Sequence, residues 1–400
     1  MLTLDKIFNA QTVLRKIIRP TNCVRAYGIA EDCRLFLKPE NLQITGSFKV
    51  RGAGYKIAML SEEEKAKGVI ACSAGNHAQG VALAASKNGI KSLICLPDTA
   101  PISKVEATKG YGADVCLVPG CYDDAYQKAL ELRDSEGYTF VHPFDDENVI
   151  AGQGTVALEI LNDLDNIDAI IVPIGGGGLI SGIAYTVKQI RPSIKVYGVQ
   201  AAGAPSMYNS VRDGKIETLD SVSTVADGIA VKQPGENTFK LISEYVDDIA
   251  LVTDDEVCSA ILALIEKQKM VAEGAGAVAV AAAMHNKFPI KGKKVVSLVS
   301  GGNIDVTSLS RVIDRGLMKS GRSSRLTIEL LDKPGQLVAV SQLIAECGGN
   351  VTGVHHERAG DTTSINGCYL RIEMETRDYD HVQLITNTLK KNGFRIIENH

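Results

Sequence analysis

Residues 169–179 read AIIVPIGGGGL, an apolar run that leads directly into four consecutive glycines. An uninterrupted apolar run bounded by glycine is typical of a strand buried on both faces, as in a parallel sheet. The glycines bare the backbone N–H groups at the start of the next helix, where they can hold a phosphate. A close-packing turn without a ligand is the alternative. The spacing fits neither the dinucleotide fingerprint nor the P-loop, which disfavours a nucleotide.

Five other short runs of β-branched and apolar residues alternate with helical patterns along the chain. They cover residues 69–72, 92–96, 114–118, 195–200 and 294–299. Between them lie segments of helical period, such as 155–164, in which Val156, Ile160 and Leu164 share one face. Strands that alternate with helices predict an α/β domain whose sheets are covered by helices on both faces.

Two more of these strands run into small polar loops, residues 73–80 (SAGNHAQG) and residues 300–303 (SGGN). Ligands of open α/β sheets bind outside the carboxyl ends of the strands. Backbone N–H groups, a serine hydroxyl and an asparagine amide in such a loop can bind a carboxylate. The alternative is a helix cap, in which Ser73 or Asn76 satisfies the first N–H groups of the next helix.

Residues 47–53 (SFKVRGA) place Lys49 between apolar and small residues at the start of a helical pattern. Most lysines are plain surface cations. A lysine held in a pocket can instead lose its proton and act as a Schiff-base nucleophile and general base. The segment alone does not decide between the two.

Composition and charge exclude several classes of protein. Apolar residues make up 45% of the 400 residues and charged residues 22%, which is ordinary for a globular chain. The net charge is −4 and there is no basic block, so we expect no nucleic-acid partner. We also expect no membrane span, and Asp5 and Lys6 interrupt any signal peptide. The nine cysteines lack C-x-x-C or metal-ligand spacing, which favours reduced thiols and a cytoplasmic protein.

The pattern changes after about residue 312. Residues 318–325 (MKSGRSSR) are short, basic and contain serine and glycine, which suits a linker. Beyond them we expect a strand, then a helix that has Pro334 at its first position and ends near residue 348. Strands at 350–358 and 368–376, a helix at 378–392 and a strand at 395–397 follow. This βαββαβ order predicts a ferredoxin-like module over residues 326–400.

The motifs SFKVRGA, SAGNHAQG, GGGGL and SGGN, in this order, together resemble those of the threonine dehydratases (threonine ammonia-lyases). That family consists of pyridoxal-phosphate enzymes of the tryptophan-synthase-β fold (fold type II). The resemblance implies a two-domain catalytic region over residues 1–317, in which a small subdomain at about 45–140 is inserted in the large one. The tail motif LDKPGQL, with a following GGN, resembles the ACT domain, an amino-acid-sensing βαββαβ module.

The resemblance also implies roles for individual residues. Lys49 would carry the cofactor, the glycines would hold its phosphate, Asn76 its ring oxygen and Ser300 its ring nitrogen. The catalytic residues would be Lys49, Ser73 and Ser300. The cofactor would be held by Phe48, Lys49, Asn76, Gly175, Gly176, Gly177, Gly178, Leu179 and Ser300. The substrate carboxylate would be held by Ser73, Gly75, Asn76 and His77. Glu273 would lie by the cofactor edge, or else cap the helix that follows it.

The implied reaction is a β-elimination in which the freed Lys49 removes the Cα proton of an amino-acid substrate. L-threonine would give 2-oxobutanoate and ammonia, and L-serine would give pyruvate as a side reaction. A serine or 3-hydroxyaspartate ammonia-lyase on the same scaffold is the alternative. A regulatory protein that binds an amino acid through an inert catalytic half is less favoured, because such a protein has no need for Lys49.

A serine racemase is also less favoured. Racemases that resemble this chain have a second serine at the position of Ala74, where it acts as the acid on the opposite face of the substrate. This chain has no apparent acid on that face. They also carry an acidic divalent-metal site, where this chain has Gln200, Ala204 and Ser206. Hard divalent cations prefer anionic oxygens, so we expect no divalent metal there, while a monovalent ion stays open.

The tail motif is the candidate regulatory site. It consists of Asp332, Lys333, Pro334, Gly335, Gln336 and Leu337. Backbone N–H groups at a helix start could take the carboxylate of an effector, for which an amino acid and a nucleotide are both candidates. A structural appendage used only for dimer contacts is the alternative. The family resemblance further implies a homotetramer.

Overall fold

The apolar run before the glycines forms a strand, Ala169–Pro173, that is buried along its whole length. It lies in the larger of two units into which the chain divides, Met1–Val306 and Thr307–His400. The structure is a computed structural model, and it describes residues 1–358 and 367–399. Each unit has its own apolar core.

The first unit alternates helices and strands, as the sequence predicts. Its helices are α1 Leu4–Leu14, α2 Lys49–Ala58, α3 Glu62–Lys67, α4 Asn76–Lys87, α5 Ile102–Gly110, α6 Tyr122–Glu136, α7 Glu147–Asp163, α8 Gly178–Ile190, α9 Ser206–Asp213, α10 Glu236–Tyr245, α11 Asp254–Ala263 and α12 Gly274–Met284. Its strands are β1 Val24–Arg25, β2 Arg34–Pro39, β3 Val69–Cys72, β4 Ser92–Pro97, β5 Asp114–Val118, β6 Thr139–Phe140, β7 Ala169–Pro173, β8 Lys195–Ala201, β9 Asp248–Val252 and β10 Lys294–Val299.

These strands form two sheets. The larger has the order β1-β2-β10-β7-β8-β9, and all its pairs are parallel except β1 with β2. The smaller has the order β5-β4-β3-β6, is parallel throughout and is built from residues between 69 and 140. The glycine turn and the loop 300–303 follow neighbouring strands of the larger sheet, β7 and β10. Because parallel strands share one carboxyl edge, these two loops lie side by side.

The second unit is the predicted ferredoxin-like module. Helix α13, Val306–Lys319, begins at the boundary between the units, and the module follows with β11 Ser323–Leu331, α14 Gln336–Glu346, β12 Asn350–Arg358, β13 Gly367–Glu375, α15 Tyr379–Lys391 and β14 Arg395–Asn399. The antiparallel sheet has the order β12-β13-β11-β14. Alternate residues of β11, namely Leu326, Ile328 and Leu330, turn into the core against the helices.

Two details of the tail differ from the sequence prediction. Most of the predicted linker 318–325 belongs to α13 and β11, because the backbone of residues 323–325 pairs with β13 whatever the polarity of the side chains. Pro334 does not open the next helix. Gly335, with a φ of 90°, is the N-cap of α14, and a left-handed N-cap separates the proline from the helix.

No helix within the described ranges is long and apolar enough to cross a membrane. All nine cysteines are thiols.

Candidate active site

The segment that carries Lys49 is held by a distant part of the chain. Lys49 begins α2, and the N–H of Phe48 donates to the carbonyl of Ser300 at 3.1 Å. The Nζ of Lys49 donates to the carbonyl of Pro143 at 2.8 Å and lies 5.4 Å from the centroid of the Phe48 ring. Burial lowers the pKa of Lys49 to about 8, and the Glu273 carboxylate opposes that shift. Lys49 is therefore not an ordinary surface cation, since part of its population is neutral near that pH.

The four glycines form the turn from β7 into α8. Gly177, with a φ of 98°, is the N-cap, and the helix begins at Gly178. A Cβ atom on Gly176 would lie 2.4 Å from the Phe144 ring, and one on Gly178 would lie 2.8 Å from the Phe144 carbonyl oxygen. The turn therefore packs closely, and it also leaves the first N–H groups of α8 free of side chains. A cradle of this kind fits the phosphate of pyridoxal phosphate.

The side chain of Leu179, next to the turn, belongs to the apolar core. Only the backbone of Leu179 is therefore available to a ligand. Gly175 is in contact with the neighbouring segment Asp227–Ile229, since a Cβ atom on it would lie 3.1 Å from the Cα of Ile229.

The loop 73–80 leads into α4 without a side-chain cap. Gly75 is the N-cap, and its own N–H donates to the Oγ of Ser73 at 3.2 Å. The alternative in which Ser73 or Asn76 caps the helix is therefore wrong, because both side chains are engaged elsewhere. The first N–H groups of α4 stay free of a capping side chain, which suits a carboxylate.

Only the backbone of His77 is available to a ligand. Its ring is buried, and its Nε2 lies 2.8 Å from the carbonyl of Val141. Burial, followed by the charge of Lys49, lowers the pKa of His77 to about 3, so that the ring is neutral. The histidine therefore anchors the loop to the small sheet and supplies no charge to a ligand.

Asn76 lies in a chain of side-chain hydrogen bonds with Glu273 and Asn303. Its Nδ2 donates to the Oε1 of Glu273 at 2.6 Å, and its Oδ1 accepts from the Nδ2 of Asn303 at 2.7 Å. Glu273 stands at the N-cap position of α12, but its side chain makes no capping hydrogen bond. The capping alternative for Glu273 is therefore wrong. We call the three side chains the Asn76–Glu273–Asn303 relay.

Ser300 follows β10 and is buried, with its Oγ donating to the carbonyl of Ala275 at 3.2 Å. The carbonyl of Ser300 holds Phe48, and the backbone of Lys49 is 3.1 Å from where a Cβ of Gly80 would stand. The structure thus brings the lysine, the loop 73–80 and the loop 300–303 together. Pro143, which accepts from the Nζ of Lys49, directly precedes Phe144, which packs on the glycine turn.

Sequence reasoning missed three contributors to this site. Asn303 lies in a motif that it identified, but no role was apparent. Phe144 lacks a motif, and so does the segment Asp227–Ile229, which reaches Glu273 through Gly228. A period or a spacing cannot reveal them, since they act through contacts between distant parts of the chain.

Two groups of residues bear on metal binding. The first lies where the similar racemases carry their divalent-metal site, and its side chains bond to the protein backbone. Gln200 accepts from the N–H of Tyr208 at 2.7 Å, and the Oγ of Ser206 donates to the carbonyl of Val231 at 2.7 Å. In the second unit, the side chains of Asp332, His356 and Cys368 place one ligand atom each within 4.8 Å of one another. Asp332 already pairs with the Arg358 guanidinium at 2.8 Å, which reduces its attraction for a cation.

The tail motif lines a cavity of about 380 Å³ in the second unit. It includes residues 332–337 together with His356 and Arg358. The cavity therefore presents the Asp332 carboxylate, the Arg358 guanidinium and the start of α14 to one space.

Comparison with known proteins agrees with this arrangement. A family described as "Pyridoxal-phosphate dependent enzyme" matches residues 14–301. An L-threonine ammonia-lyase from Thermotoga maritima is 47% identical over 398 residues, which is 99% of each chain.

Solved structures with the same fold include two with different activities in their titles. The processed form of threonine deaminase isoform 2 from Solanum lycopersicum is 38% identical, with a TM-score of 0.75 over 79% of this chain and 90% of that one. Maize serine racemase is 36% identical, with a TM-score of 0.75 over 79% of this chain and 98% of that one. The family matches most of the first unit, and the L-threonine ammonia-lyase is similar along the full length. The chain therefore belongs to the pyridoxal-phosphate-dependent enzymes and is a relative of the L-threonine ammonia-lyases.

Proposed function

We propose that this enzyme deaminates L-threonine to 2-oxobutanoate and ammonia, with a side activity that converts L-serine to pyruvate. The observation that carries the proposal is the amine of Lys49, which is partly buried, has a pKa of about 8 and lies beside the loops 73–80 and 300–303. The similarity to an L-threonine ammonia-lyase along the full length supports threonine as the substrate.

Bound pyridoxal phosphate supplies an electron sink for bond breaking at the substrate α-carbon. The neutral amine of Lys49 removes the Cα proton, and burial makes that form accessible. The first N–H groups of α4, at Asn76 and His77, would bind the substrate carboxylate, joined by the N–H of Gly75 when it leaves the Oγ of Ser73. The glycine turn would hold the phosphate, and Asn76 and Ser300 would hold the ring oxygen and the ring nitrogen. With the cofactor bound, the hydroxyl of Ser300 would turn from the carbonyl of Ala275 and donate to an unprotonated ring nitrogen, which a carboxylate could not do.

The replacement Lys49→Ala tests this function. We expect 2-oxobutanoate formation from L-threonine to fall by about 10²- to 10⁴-fold, because the base is removed. Lys240→Ala, at an exposed lysine of α10, is the matched control and should retain the full rate. The measurement is oxo-acid release from L-threonine and from L-serine by the protein loaded with pyridoxal phosphate. Absence of oxo acid from both substrates would refute the proposal, and so would full activity of Lys49→Ala.

Serine racemisation is the second candidate, since the maize racemase has the same fold at 36% identity. Ala74 argues against it, because a methyl group cannot return a proton to the opposite face of the substrate. A serine or 3-hydroxyaspartate ammonia-lyase differs from the first proposal in side-chain preference alone. Chiral analysis of the serine that remains in the same assay separates racemisation from elimination.

We further propose that residues 326–400 are an ACT domain that regulates the catalytic region over residues 1–317. The cavity beside the tail motif supports an amino-acid effector, because the Arg358 guanidinium and the start of α14 suit its carboxylate, while its ammonium group would share the Asp332 carboxylate with Arg358. A nucleotide is the other candidate, through its phosphate. We also propose a cytoplasmic homotetramer, which the nine thiols and the family resemblance support.

A further inference from the structure

The amide of Asn76 is held at both ends by groups that are far away along the chain. The Nδ2 end meets Glu273, 197 residues later, and the Oδ1 end meets Asn303, 227 residues later. Glu273 is 6% exposed, so that its carboxyl group is almost entirely removed from water. Asn76 itself is half-buried, and an amide with both ends engaged has one favoured orientation.

The direction of these bonds follows from fixed groups at the two ends of the relay. The Nδ2 of Asn303 donates to the backbone carbonyl of Thr45 at 2.7 Å, and a carbonyl oxygen can only accept. The same Nδ2 therefore supplies the hydrogen that Asn76 Oδ1 accepts. At the other end, an ionised Glu273 can only accept, which requires Asn76 to turn its Nδ2 toward the carboxylate. Both ends thus select the same orientation of Asn76.

The space around the carboxylate is kept free by a glycine of the SGGN motif. A Cβ atom on Gly301 would lie 2.2 Å from the Oε1 of Glu273 and 3.2 Å from the Nδ2 of Asn76. A side chain at position 301 would therefore break the contact between them. This gives a glycine of that motif a purpose that the sequence pattern did not suggest.

We propose that Glu273 is a positioning residue, whose carboxylate acts with Asn303 to turn the Nδ2 of Asn76 toward the cofactor. One hydrogen of Nδ2 is used by Glu273, and the second is left for the ring oxygen of pyridoxal phosphate, which accepts it. The inference rests on the proposed role of Asn76 in holding that oxygen. Glu273 itself needs no contact with the substrate.

The charge state of Glu273 decides how strongly it acts. Burial, followed by the charge of Asp227, raises the pKa of Glu273 to about 7. The hydrogen bond from Asn76 and the cations Lys104 and Lys49 oppose that shift. Above this pH the carboxylate only accepts, and its hold on Asn76 is full. Below this pH the neutral acid can donate as well as accept, so that it can pair with either the Oδ1 or the Nδ2 of Asn76. Its preference for one orientation of the amide is then weaker.

Glu273→Gln tests the proposal, because it keeps the shape and removes the charge. The probe is deoxypyridoxine phosphate, which has the ring oxygen and the phosphate but no aldehyde with which Lys49 could react. Its dissociation constant is measured on wild type and variant apoprotein by equilibrium dialysis, at pH values on either side of 7. The ratio of the two constants cancels the ionisation of the probe itself.

We expect the variant to bind the probe about three- to tenfold more weakly than wild type well above pH 7, and the difference to shrink below it. Glu31→Gln, at an exposed glutamate, is the control and should match wild type at every pH. A ratio that does not change with pH would show that Glu273 only fills space, and would overturn the proposal. The measurement involves no turnover, so a failure to deaminate threonine would leave its outcome intact.

Asn303→Ala provides an independent arm, which carries the test if Glu273→Gln does not fold. Above pH 7 the charge-assisted bond to the ionised Glu273 is the stronger of the two and still holds Asn76, so this variant should lose less affinity for the probe than Glu273→Gln does. Below pH 7 neither end is held, and the loss should be about three- to tenfold. The pH trend is thus the reverse of that for Glu273→Gln. A loss of equal size at all pH values would overturn the proposal.

Discussion

A single methyl group at Gly178 tests the close packing of the glycine turn. The Cβ of Gly178→Ala would meet the backbone of Phe144 at 2.8 Å, and backbone cannot rotate away as a side chain can. We expect a loss of about 1–3 kcal/mol in the free energy of unfolding, together with weaker binding of pyridoxal phosphate. Urea unfolding of the apoprotein and a cofactor titration measure the two effects.

Gly110→Ala is the matched control for that change. Gly110 also lies in a helix, α5, but a Cβ atom on it would have no heavy atom within 4 Å. This variant should be as stable as wild type or slightly more stable, since alanine favours a helix. Equal behaviour of the two variants would contradict the packing that we describe.

Residues of the site differ in how far the sequence reveals them. Lys49 and the glycines lie in short motifs whose chemistry depends on neighbours in the chain, and the structure places them around one site. The relay depends on pairs separated by 197 and 227 residues, so no local pattern indicates that Asn303 and Glu273 meet at Asn76. Contacts of this length are visible only once the sheet brings the loops together.

At the scale of elements, a buried ion network joins α2 to its neighbours. Arg51, two residues after Lys49, donates to Glu40 after β2 at 2.7 Å and to Glu159 of α7 at 2.7 and 2.8 Å. The side chains of Arg51 and Glu40 are fully buried. We expect Arg51→Met to lower the free energy of unfolding by about 3–5 kcal/mol, because it leaves a buried carboxylate without its main cation.

Arg212→Met is the control for this network, since its side chain is 68% exposed, and it should change stability by less than about 0.5 kcal/mol. Burial alone would raise the pKa of Glu159, but the hydrogen bonds and charge of Arg51 outweigh it and lower the pKa. This part of the stability is therefore present at neutral pH and lost on acidification. In urea unfolding, the free energy of unfolding of Arg51→Met should fall less between neutral and acid pH than that of wild type. The same pH dependence in both proteins would contradict this prediction.

The strands of the first unit could be predicted more closely than its helix boundaries. Buried parallel strands are uninterrupted apolar runs, and the predictions at 69–72, 114–118 and 294–299 match β3, β5 and β10 to the residue. The pattern over 155–164 covers only the last part of α7, which begins at Glu147. Its earlier turns are buried all round and include glycines, so they have no amphipathic period to detect.

At the scale of the whole molecule, regulation requires that a ligand of the second unit change the rate in the first. A ligand can do so only if it binds one state of the enzyme more tightly than another, and the coupling is then reciprocal for binding. Arg358 of the tail cavity is the group that suits an effector carboxylate or phosphate. It lies outside the active-site residues, so that its replacement separates regulation from catalysis.

We expect Arg358→Ala to keep the basal kcat/KM for L-threonine. The effector concentration needed for half response should rise at least about tenfold. The probes are L-isoleucine, L-valine and AMP, each added to the full-length enzyme. Arg371→Ala is the matched control, because Arg371 is an exposed arginine of the adjacent strand β13, on the face that turns away from the cavity. An unchanged response of Arg358→Ala to a ligand that acts on wild type would place the effector elsewhere. If Arg371→Ala lost the response as well, the sheet as a whole, rather than the cavity, would carry the coupling.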